Sequence, residues 1–218
     1  MENNKKQKTK FIIITFVLLV IATIFVIIKL NNSPDKEEKK LISYIEGNDY
    51  DDIKLKRVTC EDCIYIDFSI QNTNNLFKEA LDVKKRIETY INDEDLFKEK
   101  VDIYFSYDGE TAIHFANHSF FDNLSTSEPK YHSNNSELGY AFITCPFCNN
   151  SDISLIKECD NIKILHYIEP SSKNELSIIN QMKALEYVRI LIDNNSWNKK
   201  EIKEEIQESH PDCIVVVQ

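Results

Sequence analysis

From residue 53 onwards the chain is patterned mostly in twos. Ile53 and Leu55 alternate with Lys54 and Lys56, and past Cys60 and Cys63 the residues Ile64, Ile66, Phe68 and Ile70 share one face against Tyr65, Asp67 and Ser69. Such alternation predicts a hairpin with one buried face. Asn74 then caps a predicted helix in which Leu76, Ala80, Val83, Ile87 and Ile91 recur at spacings of four and three, with Lys84, Lys85 and Arg86 read as a solvated face. Period two returns at Val101, Ile103, Phe105 and Tyr107, and Asp108-Gly109 is a two-residue turn signal into Thr111, Ile113 and Phe115.

Residues 117–139 are rich in Ser, Asn and His without any period and read as a long exposed loop. Beyond it, Tyr140 to Thr144 predicts a short strand, and Ile153 and Leu155 begin either a strand or a turn or two of helix. Ile162, Ile164, His166 and Ile168 alternate up to Pro170, and Leu176 to Ile192 reads as one largely apolar helix central to the fold. Asn198 with Glu201 resembles a capping pair for a last helix holding Ile202 and Ile206, which Pro211 ends before the strand Ile214 to Val217. The fold class is α+β. Hairpin, helix and strand recur in that order from Asp52-Ile53 and again from Asp152-Ile153, one hundred residues on. This arrangement is either two ββαβ-like halves, 51–116 and 140–218, or one mixed domain.

The pattern before residue 53 is different. Phe11 to Ile28 is an eighteen-residue run without charge, its only polar side chains being Thr15 and Thr23. As a helix it rises about 27 Å at about 1.5 Å per residue, and with Lys29 snorkelling and Leu30 extending the span it suffices for a hydrocarbon core of roughly 30 Å. Residues 1–10 form a basic tail, 11–30 the predicted transmembrane anchor, and 31–50 a stalk with a short helix from Ser33-Pro34 to Gly47-Asn48. The sequence after Lys29 offers no pair of small residues for a signal peptidase, so the anchor reads as uncleaved. Four lysines flank it closely on the near side, whereas three of the four far-side lysines lie eight or more residues away. That asymmetry predicts a cytoplasmic N-terminus and a C-terminal domain outside the cell membrane, in contact with the bilayer through residues 11–30.

Charge sharpens the picture of that domain. Residues 1–40 carry eight lysines against four acids, so the remaining chain carries −14 of a total of −10. An acidic surface is repelled by phosphate backbones, which argues against nucleic acid and for a protein as partner. Only Gly47, Gly109 and Gly139 are glycines, where average usage gives about fifteen, so phosphate-cradling loops and nucleophile elbows are excluded. HExxH and EF-hand patterns are absent as well, and the Lys, Asn and Ile usage matches an AT-rich bacterial genome. No cofactor signature stands out, and Asp49, Asp51 and Asp52 read as a solvated turn.

Six cysteines, Cys60, Cys63, Cys145, Cys148, Cys159 and Cys213, are the candidates for disulfide or redox chemistry. Outside the cytoplasm their even number fits three bridges; inside, the two CxxC pairs suggest a zinc site, although 81 residues separate Cys63 from Cys145, far more than the roughly 15–20 of a compact ribbon. Cys145-Pro146-Phe147-Cys148 resembles the CPxC active site of thioredoxin-fold oxidoreductases, which implies a thiolate held at the start of a following helix. His114, His118 and His132 fall near one another in sequence, yet His114 lies on a strand, where a spacing of four does not present two ligands as a helix would; His166 reads as a boundary histidine. The expected function is a membrane-anchored, extracytoplasmic α+β domain for binding or assembly rather than an enzyme. A membrane-tethered thiol–disulfide oxidoreductase, or a zinc module if the domain is cytoplasmic, are the competing readings.

Overall fold

The computed structural model describes Thr23 and residues 36–48, 50, 53–60, 63–94, 100–118, 137–144, 153–193 and 196–218. Within them eight strands form one sheet whose spatial order is the order of the chain: β1 (Ile53–Cys60), β2 (Ile64–Ile70), β3 (Val101–Tyr107), β4 (Glu110–Ala116), β5 (Tyr140–Thr144), β6 (Ile164–Ile168), β7 (Tyr187–Leu191) and β8 (Ile214–Val217). The helices are α1 (Lys36–Glu46), α2 (Leu76–Asp93), α3 (Lys173–Ile179) and α4 (Lys199–Ser209). The result is a mixed α/β domain.

Strands β1 and β4 run against the other six. The two predicted hairpins are present as β1–β2 and β3–β4, and α2 carries the chain from β2 to its parallel neighbour β3. At the β3–β4 turn Asp108 and Gly109 have φ of 49° and 85°, the left-handed pair that a twist-matched two-residue turn requires and that Asp-Gly supplies at low cost. The second half does not repeat the hairpin. Strands β5 to β8 are all parallel, linked through a 3-10 turn at Ser154–Glu158, then α3, then α4, so both halves share one continuous sheet.

One expectation of element type is corrected here. The stretch 176–192 is not one helix: α3 ends at Ile179, Met182 and Leu185 are buried in the connection, and Tyr187–Leu191 becomes β7. Val188 and Ile190 face the core while Tyr187 is buried on the other face, so the alternation is short and weak and the stretch reads like a buried helix. Of the two readings for the stretch from Ile153, the helical one is realised, as a 3-10 turn that buries Ile153 and Ile156.

The core lies on one face of the sheet. Leu41 and Ile45 of α1, Leu76, Ala80, Val83, Ile87 and Ile91 of α2, Leu176 and Ile179 of α3, and Ile202 and Ile206 of α4 join the alternate strand residues Ile66, Phe68, Ile103, Phe105, Phe115, Ile143, Leu165, Val188 and Val215 in a single cluster. As expected of a docked stalk, α1 belongs to this core, and the ring of its Tyr44 stacks on Tyr90 of α2 at 3.9 Å. The opposite face bears Ala116, Tyr140, Ile164 and Tyr187, which are also buried. Helix starts follow local chemistry: the side chains of Ser172 and Asn198 accept from the backbone N–H groups of Glu175 and Glu201, the latter being the capping pair foreseen in the sequence. Among the described residues no helix is long and apolar enough to cross a membrane; the run 11–28 lies outside them, apart from Thr23.

Lys84 is buried, at 2% exposure, instead of lying on a solvated face. It follows Ala80 by four and precedes Ile87 by three, which turns its stem toward the core. Its Nζ donates to Glu88 Oε1 at 2.7 Å and Asn161 Oδ1 at 2.9 Å, while the same Glu88 oxygen accepts from the Leu138 N–H and Asn161 Nδ2. This knot ties α2 to the segments before β5 and before β6. Lys84→Ala is therefore expected to lower unfolding free energy by about 2–4 kcal/mol, because it strands a partly buried carboxylate. Lys85→Ala, at an exposed neighbour, should stay within about 0.5 kcal/mol in the same urea titration.

Candidate functional site

At the end of the sheet where β2, β3 and β5 begin and β4 finishes, three ionisable side chains converge on one carboxylate. Asp102, second residue of β3, is 3% exposed and points to the face opposite the helices, because its neighbours Val101 and Ile103 point into the core. The β3–β4 register pairs Asp102 with Ala116 and Tyr104 with His114, so His114 lies on the same face one diagonal step away. His114 Nε2 donates to Asp102 Oδ1 at 2.7 Å. His118 Nε2 donates to the other oxygen, Oδ2, at 3.1 Å, and the Cys63 Sγ–H donates to Oδ2 at 3.1 Å.

Backbone bonds place each of these donors. Asn117 exchanges two bonds with Val101, its N–H to the carbonyl at 3.3 Å and its Oδ1 accepting from the Val101 N–H at 2.9 Å, which fixes the chain that carries His118 against β3. The Ile64 N–H donates to the Lys100 carbonyl at 2.7 Å and so holds Cys63 beside the start of β3. His114 is clamped by a ladder of stacked groups: Arg57 lies over Tyr65 at 4.7 Å, Tyr65 stacks on Tyr104 at 4.4 Å, and Tyr104 lies flat on the imidazole at 4.1 Å and 4°.

The electrostatics follow from burial and these contacts. Burial alone would raise the Asp102 carboxyl, but the hydrogen bonds it accepts from His114 and His118 outweigh it and hold the group far below the usual carboxylate range. His114 is shifted down, burial overcoming the pull of Asp102, so the ring is a neutral N–H donor rather than an imidazolium. His166, on the same face of β6, is lowered to about 4 by burial and then by Arg189 and His114.

The predicted cysteine sites separate. Cys60 ends β1 opposite Ile64 in the register, and Cys63 joins the Asp102 cluster. Cys159 and Cys213 are free thiols, Cys159 partly buried against the core and Cys213 fully buried. Burial pushes both thiols up, Cys213 to about 11. Strand β5 ends at Thr144, at the far end of the sheet from Cys63; Cys145 and Cys148, which follow it, lie outside the described residues, as do His132, Asp49, Asp51 and Asp52. His114 and His118 do converge, contrary to the expectation from strand spacing, because the first reaches Asp102 from β4 and the second from the chain beyond its end. Asp102 itself has no motif around it, and its place between Val101 and Ile103 in the alternating strand is its only signal in the sequence. Chemically the cluster offers one sulfur, one carboxylate oxygen and one imidazole nitrogen, from Cys63, Asp102 and His118, all within 4.8 Å of one another. No family model, curated protein or solved structure matches the chain.

The pH dependence of stability follows in sign. Because the folded Asp102 carboxyl is depressed, its contribution is present above about pH 4, the unfolded value, and is lost as pH falls below it. Asp102→Asn should cost about 3 kcal/mol at neutral pH, having removed the charge that two imidazoles donate to. The gap to the native chain should narrow at pH 3 in parallel urea titrations.

Proposed function

We propose that the chain is a single-pass membrane protein, anchored through residues 11–30 with its N-terminus in the cytoplasm, that presents the acidic α/β domain outside for binding or assembly with a protein partner. The observation that carries this reading is the place of α1: the stalk that follows the apolar run is not a free spacer, since its Leu41 and Ile45 lie in the domain core. The net negative charge of the domain favours a partner with a basic surface over polyanions.

The described cysteines favour binding over thiol redox catalysis. A reactive cysteine needs a stabilised thiolate, whereas Cys159 and Cys213 are pushed up by burial and Cys63 faces a carboxylate. Disulfides among the remaining cysteines stay part of the proposal for an extracytoplasmic domain.

Cells expressing the full chain test the topology. A membrane-impermeant maleimide is expected to label partly exposed Cys63 on intact cells after mild reduction in the presence of a chelator, and the protein should remain in the membrane fraction after carbonate washing. Labelling of Cys63 only after lysis, or release of the chain into the soluble fraction, would overturn the proposal.

A further inference from the structure

We propose that Cys63 Sγ, Asp102 Oδ2 and His118 Nε2 form a binding site for a single divalent ion of the zinc class, with His114 orienting Asp102 from behind. The inference stands on the geometry of the cluster and holds whichever side of a membrane the domain occupies.

Distance is the first argument. A tetrahedral ion with bonds of about 2.3 Å to sulfur and about 2.0–2.2 Å to nitrogen and oxygen places its ligand atoms about 3.4–3.6 Å apart. The sulfur and the nitrogen each lie 3.1 Å from Asp102 Oδ2. Each of these two edges has to open by only about 0.3–0.5 Å to admit the ion, and the third, between sulfur and nitrogen, is within 4.8 Å.

Donor chemistry is the second. One thiolate, one imidazole and one carboxylate form a mixed soft and borderline set, which selects zinc and its spectroscopic surrogate cobalt(II) over calcium or magnesium, whose sites are built from oxygen. On binding, the Cys63 thiol proton leaves to solvent and the single proton of the neutral His118 ring resides on Nδ1, freeing Nε2 for the metal. The S–H and N–H donors that the carboxylate oxygen loses are replaced by the ion itself.

The third argument is the surrounding support. Asp102 Oδ1 is engaged by buried His114, so the carboxylate cannot turn freely and presents Oδ2 alone, the one-sided arrangement in which outer hydrogen bonds fix a ligating group. His114 is in turn held by Tyr104. Asp102 and His114 are buried while Cys63 and His118 are partly exposed, which leaves the ion a route from solvent.

The test uses the full chain in detergent, reduced with a phosphine, stripped with a chelator and titrated with cobalt(II). The site predicts about one ion per chain, the intense visible bands of four-coordinate cobalt and a near-ultraviolet thiolate charge-transfer band, all displaced by one equivalent of zinc. Cys63→Ser should abolish the charge-transfer band, and His118→Asn should weaken zinc binding by about tenfold or more. Cys159→Ser and Cys213→Ser should change neither. His118→Asn, at a partly exposed position, carries the test should Cys63→Ser fail to fold by circular dichroism. Absence of cobalt uptake, the weak bands of a six-coordinate ion, a charge-transfer band that survives Cys63→Ser, or undiminished zinc affinity in His118→Asn would each overturn the proposal.

Discussion

An ionised carboxylate taken almost wholly out of water has to be compensated where it lies, and in this protein Asp102 imposes that condition on three separate segments. Its partners come from the turn before β2, from the middle of β4 and from the chain just past the end of β4. A one-residue slip of β3 against β4 would carry Asp102 into the apolar core and turn His114 away. The hydrogen bonds of the cluster thus reinforce the register that the Asp108-Gly109 turn begins, and the same convergence that compensates the charge brings a sulfur, a nitrogen and an oxygen to one point.

The sheet makes this convergence possible because it runs in chain order, so neighbours in space are neighbours in sequence. The four described helices bury their apolar residues into the core on one face, leaving the opposite face to carry polar and aromatic side chains at alternate positions. The row from Arg57 through Tyr65 and Tyr104 to His114 is one product of that division. Lys84 does a comparable job on the helix face: a charge is buried there too, again compensated by groups from distant segments, and the knot it forms with Glu88 and Asn161 joins the antiparallel and parallel parts of the sheet.

Much of this was legible locally. The two hairpins, α2 with its stripe, the docked stalk and the Asn198 cap follow from period, turn chemistry and capping residues that act within a few positions. What escaped was decided at longer range. Within residues 176–192, β7 sends only Val188 and Ile190 into the core, and with Tyr187 buried on the other face the short alternation does not stand out from the largely apolar run before it. Lys84 sits at helical spacing from Ala80 and Ile87, yet only the arrival of Asn161 makes its burial tolerable. Asp102 and His114 were readable as same-face neighbours once the β3–β4 register was drawn; Cys63 and His118 reach that point through backbone bonds to Lys100 and Val101, which leave no trace in composition or spacing.

The most direct test of a buried carboxylate held by a neutral imidazole is the protonation state of His114, read from side-chain nitrogen-15 shifts of the histidine-labelled chain, with His114→Gln for assignment. The compensation described here requires one proton, on Nε2, and a ring that stays neutral as pH is lowered through 6.5, the ordinary value for histidine. A His114 signal that titrates near 6.5, or one that carries its proton on Nδ1, would contradict it.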